Sequence, residues 1–297
     1  MKVPYLLADA FTEVPGTGNR VALFLDARGV SPEQLALLAR RVGVRESAFV
    51  VGEAPEYFEV RFYTPEREIE FAGAAAIALG LVLVREGRAE AKERLFLRTP
   101  ADTLALRLFY EEGVPKEVEL REPAPRFRAP PTYERLRRFL EALGGDERHL
   151  HRGLPVGVAY TGLWSLFIPL IAPGMVDALE PDMEALSALM RAEGLHTIHP
   201  YTPMGPRTYY ARDFAPTLGI PEDPVTGSAN GALGALLARA GVVPKRQGEV
   251  VITVMQGHHL GVPGEVRVRV EYAATGDPYA VYVAGKAAVV ERGVLKL

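Results

Sequence analysis

The sequence predicts an α+β protein made of two similar halves, each a barrel-like, mainly antiparallel sheet around one buried helix. Three observations predict it: an internal repeat of about half the chain length, many short strand-like runs, and two helical segments that are apolar on every face. The chain has 297 residues, of which 48% are hydrophobic and 24% charged, as in an ordinary globular protein. This length suits two domains.

The repeat consists of three blocks that keep their order in both halves. SPEQLALLARRVG corresponds to DMEALSALMRAEG, and RFYTP corresponds to RDFAP, in each case 151 positions later. The block that begins at Gly73 corresponds to the block that begins at Gly227. A tandem duplication explains this order and predicts domains at residues 1–125 and 126–297, joined near the Pro-rich stretch 122–131. The final strands are free to pack back onto the first half.

Strands are predicted where short runs are rich in β-branched and aromatic residues, such as RVALFL, YFEVRFY, TYYARDF, EVVITVM and YAVYVAG. The first helix is predicted to follow Ser31, which is a good N-cap residue, with Pro32 in the first turn and Gln34 three residues after the cap. Leu35 and Leu38 fall on one face of this helix. The pattern is typical of a helix that lies on a sheet.

The helical segments that begin at Gly73 and Gly227 are apolar all round, so neither has a face suited to water. We therefore expect each of them to be enclosed by its own sheet. The first N–H groups of a helix lack intrahelical partners, and together with the helix dipole they attract anions. Two such helix ends predict a site for a negatively charged group between the two related domains.

Side chains that can perform chemistry cluster beside these two helix ends. Asp223, Thr226 and Ser228 lie at the second end and favour a small carboxylate ligand. Capping of the helix by Asp223 or Thr226 is the alternative, and it is the more common reason for such residues at a helix start. Glu46 directly precedes a strand and is a candidate general acid or base, the alternative being a solvated loop residue. Asn19 is one of two asparagines in the chain and is either a site residue or a turn residue.

Composition excludes several classes of function. The net charge of −3, from 34 basic and 37 acidic residues, provides no positive field for nucleic acid or a membrane surface. The absence of Cys excludes disulfides and thiol chemistry. The six His lack the HExxH spacing of a metal site and are interpreted as surface or strand-end residues. No apolar run reaches the ~20 residues of a membrane span, and the N-terminal segment lacks the pattern of a signal peptide. We therefore expect a cytoplasmic protein.

The motifs together resemble the PhzF family, the phenazine-biosynthesis isomerase and its epimerase-like relatives, which share the diaminopimelate epimerase fold. The resemblance runs through DAFTEVPGTGNRVALFLDA, VRESAFV, RFYTPEREIEFAGAAAIALG, ARDFAPTLGIPEDPVTGSANGALGALL and MQGHHLG. It implies two diaminopimelate epimerase-like domains with the active site in the cleft between them. It also implies a homodimer and a proton-shuttling isomerase that uses no metal or organic cofactor.

The resemblance further implies roles for individual residues. Glu46 matches the main acid/base of the family, and Asp223 and Ser228 match the residues opposite it. The substrate-binding residues expected around them are Asn19, Ser47, Gly73, Ala74, Thr226 and Gly227.

The chain departs from the family pattern at three positions. Ala74 replaces the usual His of AGHPT, Arg20 replaces the Pro of GNP, and Val262 replaces the Arg often found after QG. Loss of the His removes a polar group and weighs against isomerisation of the phenazine precursor dihydrohydroxyanthranilate.

The first hypothesis is therefore an isomerase or epimerase of a small carboxylate-bearing substrate. One alternative is a protein that has lost catalytic activity and serves as a small-carboxylate binding or regulatory protein. Another is a serine hydrolase with Ser228 as its nucleophile. The hydrolase is weakly supported because Ser228 has no surrounding GxSxG motif.

Overall fold

A computed structural model describes all 297 residues and groups them into two compact units. Unit 1 comprises Met1–Arg121 and Ala284–Leu297, and unit 2 comprises Glu122–Val283. The division lies close to the boundary expected from the sequence, and the last residues of the chain belong to unit 1. They do so because the final strand pairs with the first strand along its whole length, and the backbones of Met1 and Leu297 are hydrogen-bonded to each other.

The α-helices are α1 (Pro32–Val42), α2 (Gly73–Arg85), α3 (Tyr133–Ala142), α4 (Pro173–Asp177), α5 (Met183–Glu193) and α6 (Gly227–Ala240). Two short 3₁₀ helices lie at Glu147–His149 and Pro216–Leu218. The strands are β1 (Lys2–Ala10), β2 (Asn19–Phe24), β3 (Glu46–Ala54), β4 (Tyr57–Tyr63), β5 (Glu68–Ile69), β6 (Arg94–Arg98), β7 (Thr103–Glu111), β8 (Val114–Arg121), β9 (Arg126–Arg128), β10 (Gly157–Tyr160), β11 (Trp164–Pro169), β12 (Thr197–Pro203), β13 (Thr208–Ala211), β14 (Asp213–Ala215), β15 (Ile220–Asp223), β16 (Val250–Gln256), β17 (Gly264–Tyr272), β18 (Pro278–Gly285) and β19 (Ala287–Lys296). None of the helices combines the length and hydrophobicity of a membrane span.

The sheet of unit 1 runs in the order β19, β1, β2, β3, β4, β6, β7, β8, with β5 paired to β4. All of these joins are antiparallel except the joins between β2 and β3 and between β4 and β6. In the first parallel join, the connection between the strands carries α1, which packs its apolar side on the sheet.

The sheet of unit 2 repeats this plan through β9, β10, β11, β12, β13, β16 and β17, with parallel joins between β11 and β12 and between β13 and β16. The register is also repeated: Ser47 pairs with Tyr63 in unit 1, and Ile198 pairs with Phe214 in unit 2, 151 positions later in each case. The structure therefore confirms the predicted repeat and the α+β class.

The helices α2 and α6 are buried along nearly their whole length, as their apolar composition predicts. Corresponding glycines bring each helix close to its sheet. A Cβ atom at Gly80 would lie 2.6 Å from Leu106, and a Cβ atom at Gly234 would lie 2.5 Å from Val268. Both distances are far below an ordinary contact, so a larger residue at either position would have to displace the facing Leu106 or Val268 side chain.

Helix α1 begins with the predicted capping box. The Ser31 hydroxyl accepts from the Gln34 amide, and the Gln34 side chain accepts from the Ser31 amide at 3.0 Å. We expect Ser31→Ala to lower the free energy of unfolding by about 1 kcal/mol, because the helix loses a partner for an N-terminal amide. Chemical denaturation measures the change, and Ser31→Thr, which keeps the hydroxyl, is expected to retain most of the stability. Equal losses in both variants would contradict this role.

Candidate active site

In unit 1 the first residue of β3, Glu46, meets the N-terminal end of α2. The amide of Ala75, in the first turn of α2, donates to Glu46 Oε2 at 3.3 Å. The parallel pairing of β3 with β2 places Glu46 beside Val21. The half-buried carboxylate thus lies where the dipole of a buried helix favours negative charge.

The helices α2 and α6 differ from the amphipathic helices in how they begin. Helices α1, α3 and α5 have side-chain caps from Ser31, Thr132 and Asp182. The N-cap residues of α2 and α6 are Ala72 and Thr226, and neither side chain caps its helix. The capping explanation of Thr226 is therefore wrong, because its hydroxyl bonds to carboxylates instead of to the helix amides. Gly73 and Ala74, and likewise Gly227 and Ser228, form the first turns of these two helices.

The loop before Asn19 is tied to the sheet by a buried carboxylate. Asp9 is 1% exposed and accepts from the Gly16 amide at 2.6 Å and from the guanidinium of Arg20. The hydrogen bond with Asp9 raises the pKa of Arg20, which therefore stays charged. Asn19 is buried as the first residue of β2, paired with Ala10. Arg20, which replaces the Pro of the family pattern, thus helps to hold the segment that contains Asn19 in place through Asp9.

Ser47, the other predicted binding residue of unit 1, lies on the face of β3 opposite to Glu46. Its partner across the sheet is Tyr63, which packs with Phe49 on the α1 side, whereas Glu46 contacts α2. Ser47 is fully buried, and its hydroxyl has no hydrogen-bond partner. Within the unit, the Ser47 side chain and the Glu46 carboxylate therefore point to different sides of the strand.

In unit 2 the predicted residues Asp223, Thr226 and Ser228 lie together at the start of α6. The Thr226 hydroxyl is 2.8 Å from Asp223 Oδ2, and the Ser228 carbonyl accepts from the Thr161 hydroxyl at 2.7 Å. Asp223 is 6% exposed and ends β15, where it pairs with Asp213 of β14. This pairing brings a second, fully buried carboxyl to the same helix end.

Sequence reasoning missed a buried polar group behind Asp223 and Thr226. His199 lies between Asp213 and Asn230, at 2.9 Å and 3.1 Å, and is fully buried. The interpretation of the histidines as surface or strand-end residues is wrong for His199. The repeat contains a signal for it, since His199 corresponds to Ala48 of the apolar half. No group of three or more His, Asp or Glu side chains is arranged to hold a metal ion.

Each unit therefore places a carboxyl group at the uncapped N-terminus of a buried helix. Glu46 does so in unit 1 and Asp223 in unit 2. Carboxyl groups can take and return protons, and uncapped helix ends bind anions. The residues are suited to proton transfer on a small anionic molecule.

Comparison with known proteins identifies the family of this chain. The phenazine biosynthesis-like protein family, PhzC-PhzF, matches residues 8–293. An uncharacterized isomerase of Deinococcus radiodurans is 44% identical over 291 residues, which cover 98% of this chain and 94% of that protein. The trans-2,3-dihydro-3-hydroxyanthranilate isomerase of Pseudomonas fluorescens is 30% identical over 298 residues, covering 99% of both chains. The crystal structure of a PhzF-family phenazine biosynthesis protein of Bacillus anthracis has a TM-score of 0.88 and 25% identity, and the match covers 100% of both chains.

Proposed function

The chain belongs to the phenazine biosynthesis-like PhzC-PhzF family of isomerases, and from that premise we propose that it shuttles a proton on a small carboxylate-bearing substrate, with Glu46 as the acid/base. No metal or organic cofactor takes part in this proposal. The observation that carries it is the hydrogen bond from the Ala75 amide to Glu46 at the start of α2. It orients one carboxylate oxygen while leaving the group able to gain and lose a proton.

The substrate class follows from the two helix ends. Neither Ala72 nor Thr226 caps its helix with a side chain, so the amides of the first turns are suited to an anionic group. We propose that one substrate engages residues of both units, with Asp223 and Ser228 orienting it and Glu46 acting on a carbon atom. Asn19, Gly73 and Gly227 remain predicted contacts.

A single base is sufficient to move a proton between two carbon atoms of the substrate. Glu46 takes a proton from one carbon atom of the substrate and returns it to another carbon atom on the same face. The C–H bond that breaks and the C–H bond that forms are balanced, and the carboxylate is regenerated after each turnover. Epimerisation would need a proton donor on the opposite face, a role that Asp223 can fill.

The replacement of the family His by Ala74 favours one rival: a protein that binds a small carboxylate but has lost turnover. A screen in deuterated water separates the two. The probes are trans-2,3-dihydro-3-hydroxyanthranilate, the molecule named for the Pseudomonas fluorescens relative, and a panel of small hydroxy and amino acids. Thermal shift identifies the binders, and mass spectrometry with NMR identifies isomerised or deuterated product.

We expect at least one binder to be isomerised, with deuterium at the new C–H bond whenever the proton on Glu46 exchanges with water. Binders that raise the melting temperature but are never isomerised or labelled would contradict the proposal and favour the lapsed protein. We expect the protein not to react with a fluorophosphonate probe, because the proposed mechanism gives Ser228 no role as a nucleophile.

A further inference from the structure

A connected set of buried polar side chains lies behind Asp223 at the start of α6. All of its members are at most 6% exposed and belong to unit 2. They are His199, Asp213, Asp223, Thr226, Asn230 and Gln256. The hydrogen-bond geometry fixes most of the protons in this set.

Backbone groups fix the orientation of the two side-chain amides. Gln256 Oε1 accepts from the Thr226 amide at 3.1 Å, and Gln256 Nε2 donates to the Asp223 carbonyl at 2.9 Å. Asn230 Nδ2 therefore donates to Gln256 Oε1 at 2.7 Å, which turns Asn230 Oδ1 towards His199 Nε2. Because Asn230 Oδ1 can only accept, His199 Nε2 must carry a proton.

Three further contacts each require a proton of their own. His199 Nδ1 lies 2.9 Å from Asp213 Oδ1, and Thr226 Oγ1 lies 3.0 Å from Asp213 Oδ2 and 2.8 Å from Asp223 Oδ2. Thr226 supplies one proton, and we assign the second to His199 Nδ1, as an imidazolium that faces an Asp213 carboxylate. The third must therefore be on a carboxyl group, either Asp213 or Asp223. Gln256 Nε2, at 3.2 Å, donates to the remaining lone pair of the Thr226 hydroxyl.

The other half of the repeat shows that the fold does not need these polar groups. The positions that correspond to His199 and Asp213 are Ala48 and Phe62, and the position that corresponds to Asn230 is Ala76. All three are buried in unit 1, in the same arrangement of strands and helix. Burying polar groups costs free energy that apolar residues avoid. Their retention in unit 2 alone, next to Asp223, indicates a role in chemistry.

We propose that Asp223, Thr226 and Asp213 form a proton relay, with His199 as its buried counter-charge, so that Asp223 serves either as an acid or as a base. In one state Asp223 is protonated and donates to Thr226, which donates to Asp213. In the other state Asp213 is protonated and donates to Thr226, which donates to Asp223. Its role in isomerisation rests on the proposed function.

The two states interconvert with balanced bonds. The Asp223 proton moves to Thr226 Oγ1 while the original Thr226 proton moves to Asp213 Oδ2, so each oxygen that loses an O–H bond is matched by one that gains it. The set stays neutral in both states, with one imidazolium, one carboxylate and one carboxylic acid. The carboxylate faces either the His199 imidazolium or the N-terminus of α6, and both stabilise it. Thr226, Asp213 and His199 are positioning residues in this scheme.

Infrared spectroscopy tests the relay without any substrate. A neutral carboxylic acid has a C=O stretch that is well separated from the bands of ionised carboxylates. Labelling of the aspartate carboxyl groups with ¹³C distinguishes the bands of Asp from those of Glu. We expect the wild-type protein at neutral pH to show one labelled neutral-acid band that shifts in deuterated water. Absence of that band in the wild-type protein would overturn the proposal.

Variants assign the band. Asp223→Asn and Asp213→Asn are each expected to abolish it, because the new amide supplies the missing proton. Thr226→Val is expected to abolish it by disconnecting the carboxyls, and Thr226→Ser to restore it. Thr202→Val is the matched control, since Thr202 is a fully buried hydroxyl of the same unit without a hydrogen-bond partner. A band that persists in both Asp→Asn variants would overturn the proposal.

Activity provides the second readout. We expect Thr226→Val to lower isomerisation about 10²-fold, the lower end of what a general acid–base group contributes, with recovery in Thr226→Ser and no change in Thr202→Val. A wild-type protein that isomerises substrate but lacks the band refutes the relay alone. A protein that shows the band but isomerises nothing refutes the proposed function alone.

Discussion

Glu46→Gln is expected to lower isomerase turnover by about 10² to 10⁴-fold while the protein stays folded. Glutamine has nearly the same shape as glutamate, and its side-chain oxygen can still accept from the Ala75 amide. It cannot take a proton at neutral pH, so the transfer itself is lost. Turnover is measured with a substrate from the deuterium screen, and circular dichroism and thermal denaturation measure the fold.

Glu53→Gln is the matched control, because Glu53 lies in the same strand as Glu46 but forms a surface ion pair with Arg88. It is expected to keep full activity, since an exposed pair contributes at most about 1 kcal/mol to stability and nothing to the reaction. Full activity in Glu46→Gln would remove Glu46 from the mechanism. Equal loss in both variants would show that the effect is not specific to Glu46.

Gly257→Ala is expected to lower the free energy of unfolding by about 3 kcal/mol, combining a left-handed backbone with steric overpacking. Gly257 has φ +85°, and a Cβ atom there would lie 2.5 Å from the Val262 carbonyl oxygen and 2.8 Å from the Pro224 carbonyl oxygen. Backbone atoms cannot swing away as a side chain can. The preceding Gln256 also holds the backbone around Asp223 and Thr226, so the strain acts on the start of α6.

Gly261→Ala separates the two contributions. Gly261 has φ +72°, but a Cβ atom there would meet nothing within 4 Å. The loss expected for Gly261→Ala is therefore about 1 to 2 kcal/mol, from backbone strain alone. Chemical denaturation of both variants gives the difference. Equal losses would show that the contact with Val262 and Pro224 relaxes at no cost.

Local sequence signals were sufficient to predict α1, α2 and α6. The buried helices α2 and α6 were predictable because a segment that is apolar on every side has no stable position in water. The beginning of α1 was predictable because a capping box is read within four residues around Ser31. The boundaries of the two units were harder to predict from the sequence. The pairing of β19 with β1 joins residues that are far apart in the sequence, and no local sequence pattern indicates it.

The candidate site divides in the same way. The position of Asp223 and Thr226 at the start of α6 was predictable, because they directly precede an apolar helical segment. The hydrogen bond of the Thr226 hydroxyl to Asp213 was not predictable. It depends on Asp213, which a strand pairing brings next to Asp223. His199 looked like any histidine in a strand, and only the alignment of the two halves shows that it replaces an apolar residue. Ser47 was among the expected substrate-binding residues, but successive strand residues face opposite sides, so its side chain points away from the Glu46 carboxylate.

The pairing of β1 with β19 also determines the order in which the protein can be completed on the ribosome. Unit 2 is contiguous and has all of its residues once Val283 has emerged, whereas unit 1 lacks β19 until residues 287–296 have also emerged. Until then the outer edge of β1 stays open to pairing with other chains. Because the backbones of Met1 and Leu297 are hydrogen-bonded to each other, a short linker can join these two residues in a circularly permuted variant whose new ends are opened in a surface turn.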